Sequence, residues 1–257
     1  MEWILPGIRW ERGSPIRKDD EFPTERFSNM RIVAGKDILR ANDQLAELNF
    51  RRFSDAGVFV VNLLGSPGSG KTTLLEALCR YWSGRVRMGV IEGDLAGSID
   101  AERIQKLGIP VVQINTMGAC HLDAAMIATA ANELELEQLD FLFIENVGNL
   151  VCPANFRLGE HLRVLLLSVP EGDDKPVKYP VIFQEVGAVV ISKKDLMPLL
   201  PFDLGRVKGE LRQLAPEARV FEVAAIRDEG VGEVAVFLEE ARRNFGKVSF
   251  GGEVGRE

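Results

Sequence analysis

One eight-residue segment constrains this chain more than any other: residues 65–72 read GSPGSGKT. The segment matches the pattern G-x-x-x-x-G-K-[ST] at every fixed position, with an apolar run before it and an apolar-periodic run after it. A strand, a glycine-rich loop and a helix in that order form a P-loop, in which backbone N–H groups and the helix N-terminus hold phosphate anions. A turn that matched by chance would lack these flanking elements, so we expect the chain to bind a nucleoside triphosphate.

The residues of the P-loop have distinct expected roles. The ammonium group of Lys71 is expected to reach the β- and γ-phosphates and to act in catalysis, while the hydroxyl of Thr72 is expected to bind Mg²⁺. The predicted nucleotide-binding residues of this segment are Gly65, Ser66, Pro67, Gly68, Ser69, Gly70, Lys71, Thr72 and Thr73.

The composition argues against several classes of function. A net charge of −7 without a basic stripe argues against nucleic acid as a partner, because such binding relies on Lys and Arg that neutralise phosphates. No apolar run is long enough to span a bilayer and the N-terminus lacks a signal-peptide pattern, so we expect no membrane partner. The three cysteines do not suit a disulfide framework. Together these features predict a cytoplasmic protein.

The apolar runs predict an α/β fold of the three-layer P-loop NTPase type, with a mostly parallel central β-sheet and helices on both faces. From the P-loop onward, short apolar runs alternate with helical patterns, which is typical of right-handed βαβ units. We predict a flexible N-terminal arm over residues 1–35, a helix packing on the main domain over 36–57, a P-loop nucleotide-binding domain over 58–246 and a disordered tail over 247–257.

Two acidic residues follow predicted strands at the edge where a nucleotide is expected. Glu145 ends an apolar strand and begins the sequence E-N-V-G, in which Gly148 would let a backbone N–H approach the γ-phosphate. Asp94 ends another predicted strand. Because ligands bind at the carboxyl edge of such sheets, both residues are candidates for Mg²⁺ binding and for catalysis. A plain acidic residue in a turn remains the alternative for each, and for Asp94 the two interpretations are evenly balanced.

The sequence S-K-K-D at residues 192–195 follows a further predicted strand. It is similar to the [NT]-K-x-D pattern of GTPases, in which the aspartate accepts hydrogen bonds from guanine that adenine cannot donate. Lys193 and Asp195 are therefore predicted nucleotide-binding residues, and GTP is the predicted nucleotide. Ser192 stands where Asn or Thr is usual, which predicts weaker affinity for guanine. The alternative is a helix N-cap followed by two solvated lysines.

Cys120, His121 and Cys152 lie in two predicted loops at the same edge of the sheet. Two thiolates and an imidazole suit Zn²⁺ or Ni²⁺, but three ligands do not close a tetrahedral structural site. Spacing alone favours the alternative of two buried thiols and an unrelated histidine. Cys79 is predicted to be an ordinary core residue, and His161 is predicted to lie in a solvated approach to a strand.

Three motifs together give the chain a resemblance to a known family. They are C-H at 120–121, E-N-V-G-N-L-V-C-P at 145–153 and E-G-D-D-K-P at 171–176. Over residues 36–245 the chain resembles HypB, the GTPase family that helps to insert nickel into [NiFe]-hydrogenases. That family belongs to the SIMIBI class of P-loop GTPases and is related to the urease accessory protein UreG.

The resemblance implies GTP hydrolysis with Mg²⁺ and a homodimer in which two subunits face each other across their nucleotides. It implies that Cys120, His121 and Cys152 form a Zn²⁺ or Ni²⁺ site shared across this dimer, which would supply the missing ligands. It also implies hydrogenase maturation partners such as the HypA-type nickel/zinc accessory protein. The predicted function is a GTP-hydrolysing metallochaperone for nickel insertion.

The chain also departs from the family pattern. It has no cysteine or histidine before Cys79, which argues against the nickel-storage function of some members, and Ser192 replaces the usual Asn. These differences leave open a UreG-like accessory GTPase that serves another metalloenzyme. A second alternative, from a different class, is a nucleotide-clamped metal-binding scaffold that hydrolyses little GTP. A P-loop kinase that uses ATP is a third, disfavoured by the absence of an Arg-rich lid.

Overall fold

The computed structural model describes residues 35–94 and 99–250. In this part of the chain, seven strands form one sheet in the order β3-β2-β4-β1-β5-β6-β7, and every neighbouring pair is parallel. The strands are β1 (Phe59–Gly65), β2 (Met88–Asp94), β3 (Val111–Asn115), β4 (Phe141–Glu145), β5 (Leu162–Ser168), β6 (Ala188–Ser192) and β7 (Arg219–Glu222). The α-helices are α1 (Gly35–Asp55), α2 (Lys71–Trp82), α3 (Ile99–Gln105), α4 (Ala124–Ala130), α5 (Lys175–Lys178), α6 (Pro180–Gln184), α7 (Leu204–Leu214) and α8 (Val231–Phe250).

Helices cover both faces of the sheet, which confirms the predicted α/β fold. Alternate residues of the central strand β1 point to opposite faces. Phe59 and Val61 pack in one apolar cluster with α2 and α8, whereas Val60 packs in another with α1 and α4. Because both faces are covered, β1 is buried along its whole length, and its sequence is an apolar run interrupted by Asn62 rather than an alternating pattern.

One end of the chain differs from the prediction. The helix α8 runs to Phe250, so the first residues of the predicted disordered tail, 247–250, are helical. The rest of that tail, and the predicted arm up to residue 34, lie outside the described residues. No described helix combines the length and the apolar character needed to cross a bilayer.

Two asparagines on one side of α1 tie this helix to the segments that follow β3 and β4. Asn42 donates to the carbonyl oxygen of Arg157 at 2.8 Å and accepts from the N–H of Ala124 at 2.9 Å. Two turns later, Asn49 donates to the carbonyl oxygens of Ala124 and Leu158 at 2.8 and 3.0 Å. Both amides are buried, so the backbone groups that they contact depend on α1 for their hydrogen bonds.

A buried ion pair fixes the segment that leads into β5. Arg163 donates through Nε to Glu160 at 2.5 Å, and both side chains are less than a tenth exposed. Arg163 also donates to the carbonyl oxygens of Ala154 and Phe156, and Glu160 accepts from the N–H of Leu158. These additional hydrogen bonds are what a buried pair needs to offset its loss of hydration.

We expect Glu160→Gln to lower the free energy of unfolding by about 3–5 kcal/mol, because it removes the buried counter-charge of Arg163 and leaves only the exposed carboxylate of Glu185, 3.4 Å away. Urea denaturation measures the loss. The matched control is Glu47→Gln, which removes one carboxylate from the exposed Arg51–Glu47 pair and should cost less than about 1 kcal/mol. Equal losses in the two variants would contradict this role for the buried pair.

Candidate functional site

The P-loop lies between β1 and α2 and takes its shape from glycines. Gly68 and Gly70 have φ angles of 72° and 96°, in the left-handed region that residues with a Cβ rarely adopt. Gly65 is required for a steric reason as well, since a Cβ there would lie 2.7 Å from the carbonyl oxygen of Leu166 in the neighbouring strand β5. The backbone of the loop therefore follows a path that few other sequences allow.

Lys71 and Thr72 begin α2, and both side chains are buried. The ammonium nitrogen of Lys71 lies 3.4 Å from the carbonyl oxygen of Ser66, so the side chain folds back over the loop. Burial lowers the pKa of Lys71, and nearby carboxylates, Glu145 foremost, oppose that shift. Thr72 donates its hydroxyl to Oε1 of Glu145 at 2.8 Å. This hydrogen bond joins the first turn of α2 to the end of β4, where the Mg²⁺ site is predicted.

Three carboxylates lie at neighbouring strand ends, on the side of the sheet that faces α2. Glu145 of β4 and Glu92 of β2 are directly opposite each other in the strand pairing. Asp94 lies two residues after Glu92 in β2, so the two side chains are on the same face of the sheet. Burial raises the pKa of Glu145 to about 6, although Lys71 and the Thr72 hydrogen bond oppose the shift. Burial, and then the charge of Glu145, raise the pKa of Glu92 to about 8.

These carboxylates fit a divalent cation. They line one cleft with Lys71 and the other P-loop residues, which we call the phosphate cleft. The Oε2 atoms of Glu145 and Glu92 are buried and have no hydrogen-bond partner within 35–94 and 99–250. Carboxylate and hydroxyl oxygens are the ligands that Mg²⁺ prefers. Thr72, Asp94 and Glu145 are thus close together, as a Mg²⁺ site requires, and their roles there stay a prediction.

Sequence reasoning gave Glu92 no role of its own. The one sequence feature that pointed to a role for Glu92 was its position two residues before Asp94 in an apolar strand, which puts the two side chains on the same face. That signal does not show that β2 lies beside β4, so the approach of Glu92 to Glu145 could be found only in the structure.

The S-K-K-D segment begins where β6 ends. Ser192 is buried and donates its hydroxyl to the carbonyl oxygen of Ser69 at 2.6 Å, so it supports the backbone of the P-loop. Lys193 has a φ of 56° and lines the phosphate cleft. The side chain of Asp195 is 7% exposed and lies 3.9 Å from the guanidinium of Arg227, outside the lining of that cleft. Recognition of guanine by Asp195 stays a prediction.

The three candidate metal ligands come together although they lie in two loops. The Sγ atoms of Cys120 and Cys152 are 2.8 Å apart, and Sγ of Cys120 lies 3.8 Å from Nδ1 of His121. One ligand atom from each residue lies within 4.8 Å of the other two, so a single ion can reach all three. The ring of His121 stacks on Phe156, and burial lowers its pKa, which favours the neutral form that binds metals. This geometry favours a metal site over unrelated thiols.

One asparagine connects these candidate metal ligands to the P-loop. The backbone N–H of Asn149 donates to the carbonyl oxygen of Gly65 at 3.1 Å, and its side-chain Nδ2 donates to the carbonyl oxygen of Cys120 at 3.3 Å. Its Oδ1 accepts from the N–H of Val151, the residue before Cys152. Sequence reasoning missed this connection because the motif around Asn149 does not show which loop the amide reaches.

The other cysteine and histidine belong to neither site. Cys79 packs against the apolar cluster between α2 and the sheet, in line with its prediction as a core residue. The prediction for His161 was wrong, because its side chain is half-buried rather than solvated. Its Nδ1 accepts from the N–H of Val60 at 2.9 Å, its Nε2 lies 3.2 Å from Oγ of Ser54, and its ring stacks on Phe59. Burial lowers the pKa of His161 to about 4, so this histidine is neutral at pH 7.

The sequence profile described as "CobW/HypB/UreG, nucleotide-binding domain" matches residues 59–222, a range that contains every predicted site residue. The chain belongs to this family. It is 46% identical over 209 residues to hydrogenase/urease maturation factor HypB of Helicobacter hepaticus, which covers 80% of this chain and 86% of that protein. It is 46% identical over 206 residues to hydrogenase maturation factor HypB of Escherichia coli (strain K12), with coverage of 80% and 71%.

Two solved HypB structures share the fold. HypB from Helicobacter pylori in complex with nickel matches with a TM-score of 0.77 and 43% identity, covering 79% of this chain and 96% of that one. HypB from Archaeoglobus fulgidus matches with a TM-score of 0.74 and 36% identity, covering 79% and 99%. The resemblance to HypB is therefore confirmed over most of the chain.

We expect Gly148→Ala to weaken nucleotide binding by about tenfold, because a Cβ there would lie 2.7 Å from both N and Cα of Pro67 in the P-loop. The added methyl group has to push the loop after β4 away from the P-loop. Titration with a fluorescent guanine nucleotide measures the effect. The control is Gly209→Ala in α7, where a Cβ meets nothing within 4 Å. Unchanged affinity in Gly148→Ala would show that the close approach is not needed for binding.

Proposed function

We propose that this chain is a GTP-hydrolysing metallochaperone that assists nickel insertion during the maturation of [NiFe]-hydrogenase. The observation that carries the proposal is the set of metal ligands Cys120, His121 and Cys152, which is hydrogen-bonded through Asn149 to the P-loop. A P-loop alone indicates only nucleotide binding, whereas this connection supports a function that uses nucleotide and metal together. The names of the HypB relatives and the nickel complex of the Helicobacter pylori protein support the same function.

Hydrolysis of GTP would use the residues of the phosphate cleft. Lys71 stabilises the charge that develops on the transferred phosphate, because its buried ammonium group lies over the P-loop. Thr72, Glu145 and Asp94 would hold Mg²⁺. The ion would supply positive charge against the phosphate oxygens. Asp94 also orients the attacking water from the end of β2.

Nickel would be cargo at the second site. Cys120, His121 and Cys152 supply three ligands, which leaves a position for exchange or for ligands from a second subunit. We infer a homodimer in which two such sets share Ni²⁺ or Zn²⁺, with the HypA-type nickel/zinc accessory protein as an exchange partner. An incomplete ligand set suits this role, because a closed four-ligand site would retain the ion.

The nucleotide and the metal would be coupled through the loop after β4. Gly148 packs against the P-loop, Asn149 contacts the backbone of Gly65 and Cys120, and Cys152 follows three residues later. A contact of the γ-phosphate that shifts this loop also shifts two metal ligands. By linkage, any factor by which GTP changes metal affinity is the factor by which metal changes GTP affinity. Hydrolysis would then release the metal to the client enzyme.

A second candidate function is a metal-binding scaffold in which the nucleotide only clamps the dimer. A third candidate is a UreG-like GTPase that serves another metalloenzyme and uses the chemistry proposed above. The Helicobacter hepaticus relative is named a hydrogenase/urease maturation factor, which favours this candidate. Single-turnover hydrolysis with and without Ni²⁺ separates a GTPase from a scaffold, because a scaffold turns over little GTP in either condition.

We expect Lys71→Ala to slow GTP hydrolysis at least ~100-fold, because it removes a charge that stabilises the transferred phosphate. We expect Asp195→Asn to reduce the preference for GTP over ATP at least ~10-fold, because it removes the acceptor for guanine. Phosphate release measures the first effect, and competition between GTP and ATP measures the second.

The control for both variants is Lys106→Ala, at an exposed position just after α3. If the wild type binds ATP as tightly as GTP, the role of Asp195 is wrong and an ATP-dependent kinase becomes the better interpretation. If Lys71→Ala hydrolyses GTP at the wild-type rate, the P-loop is not the hydrolytic site.

We expect Ni²⁺ or Zn²⁺ to strengthen dimerisation more in the presence of a GTP analogue than with GDP, by a factor in the ~5–150-fold range of typical couplings. Sedimentation with each nucleotide, with and without metal, measures this factor. The double variant Cys120→Ala, Cys152→Ala should dimerise without regard to metal, while Cys79→Ala, which changes the third thiol, should behave as wild type. Equal metal affinity in the two nucleotide states, at equal dimer content, would rule out the coupling.

A further inference from the structure

Glu92 is a buried carboxylate that the roles proposed above leave unused. It lies in β2 and is 3% exposed. Its Oε2 atom is buried and has no hydrogen-bond partner in the described part of the chain. Burial of an unpaired carboxyl oxygen is costly, so such a group in a native protein is best explained by a partner outside the polypeptide.

The register of the sheet directs Glu92 toward the predicted Mg²⁺ residues. Glu92 is directly opposite Glu145 of β4. Val90 lies two residues before Glu92, on the same face of β2, and packs in the same apolar cluster as Leu74 of α2. Glu92 therefore points to the side of the sheet where α2 begins, and its side chain lines the phosphate cleft with the P-loop residues.

Acidic side chains outnumber basic ones along the described lining of the phosphate cleft. The carboxylates are Glu92, Asp94, Asp100 and Glu145, and the cations are Lys71, Arg103 and Lys193. Arg103 is already engaged, since it binds Glu76 at 2.7 Å and Asp100 at 2.9 Å. Phosphate groups add further negative charge when a nucleotide binds. Mg²⁺ balances such charge while keeping several of its waters, because it usually binds through only one or two carboxylates.

We propose that Glu92 is a further residue of the Mg²⁺ site, whose carboxylate accepts hydrogen bonds from the water shell of the ion held by Thr72 and Glu145. This inference rests on the proposed function, because it needs nucleotide and Mg²⁺ to bind in the phosphate cleft. Glu92 retains Mg²⁺ and does not activate the attacking water. Its loss therefore changes the Mg²⁺ dependence of nucleotide binding, which is measured without hydrolysis.

The experiment titrates Mg²⁺ against the binding of a fluorescent GDP analogue to the full chain. We expect Glu92→Gln to raise the Mg²⁺ concentration at half-maximal binding by about tenfold or more, the usual effect of removing a group that supports metal ligands. Glu92→Asp keeps the charge on a shorter side chain and should give a smaller shift. Binding in EDTA should be unchanged, because Glu92 does not contact the nucleotide itself.

Two further variants give the reference values for this titration. Glu137→Gln changes an exposed carboxylate outside the cleft lining and is the matched control, while Glu145→Gln is the reference for loss of Mg²⁺ affinity. Thermal unfolding checks that each variant is folded. If Glu92→Gln does not fold, the shift measured with Glu92→Asp is compared with the control instead. A half-maximal Mg²⁺ concentration equal to that of Glu137→Gln would overturn the inference, even if hydrolysis were slower.

The same titration separates this inference from the function on which it rests. If the wild type binds no guanine nucleotide at any Mg²⁺ concentration, the proposed function fails and the role of Glu92 fails with it. If the wild type binds the GDP analogue in a Mg²⁺-dependent way and the Glu92 variants show no shift, only the role of Glu92 is overturned.

Discussion

The parallel pairing of β3, β2, β4 and β1 is the constraint on which both candidate sites depend. Parallel strands end at the same edge of a sheet, so the loops that follow them meet there even when they are far apart in the chain. The central strand β1 has β4 on one side and β5 on the other. The P-loop therefore opens beside the loop after β4, which packs against it at Gly148 and carries Cys152. The candidate nucleotide-binding and metal-binding residues share an edge of the sheet because of strand order rather than sequence proximity.

The parts of the site that could be predicted are those whose chemistry is contained in consecutive residues. The P-loop and the E-N-V-G segment carry their own local signals, and both lie at the expected strand ends. The surroundings of Glu92 and His161 could not be predicted, because they depend on lateral neighbours. Glu92 meets Glu145 only because β2 lies next to β4, and His161 bonds to Val60 across 101 residues of sequence. A local pattern contains no information about such contacts.

The candidate metal ligands could not be predicted from local sequence either. Cys120 and Cys152 are 32 residues apart, and a spacing of this length carries no geometric signal, unlike a short C-x-x-C pattern. Local sequence therefore favoured unrelated thiols, whereas the resemblance to HypB pointed to a metal site. The structure supplies the physical reason for their proximity, since the loops after β3 and β4 leave the same sheet edge and Asn149 holds them together.

The helix α1 lies upstream of the family profile, which begins at residue 59. Its buried Asn42 and Asn49 nevertheless satisfy backbone groups at the start of α4 and in the segment before β5, the two stretches that follow the candidate metal ligands along the chain. A fragment that began at β1 would keep the P-loop and all seven strands but would leave these groups unpaired. The segments beside the candidate metal ligands therefore depend on α1 for backbone hydrogen bonds, although this helix lies outside the family profile.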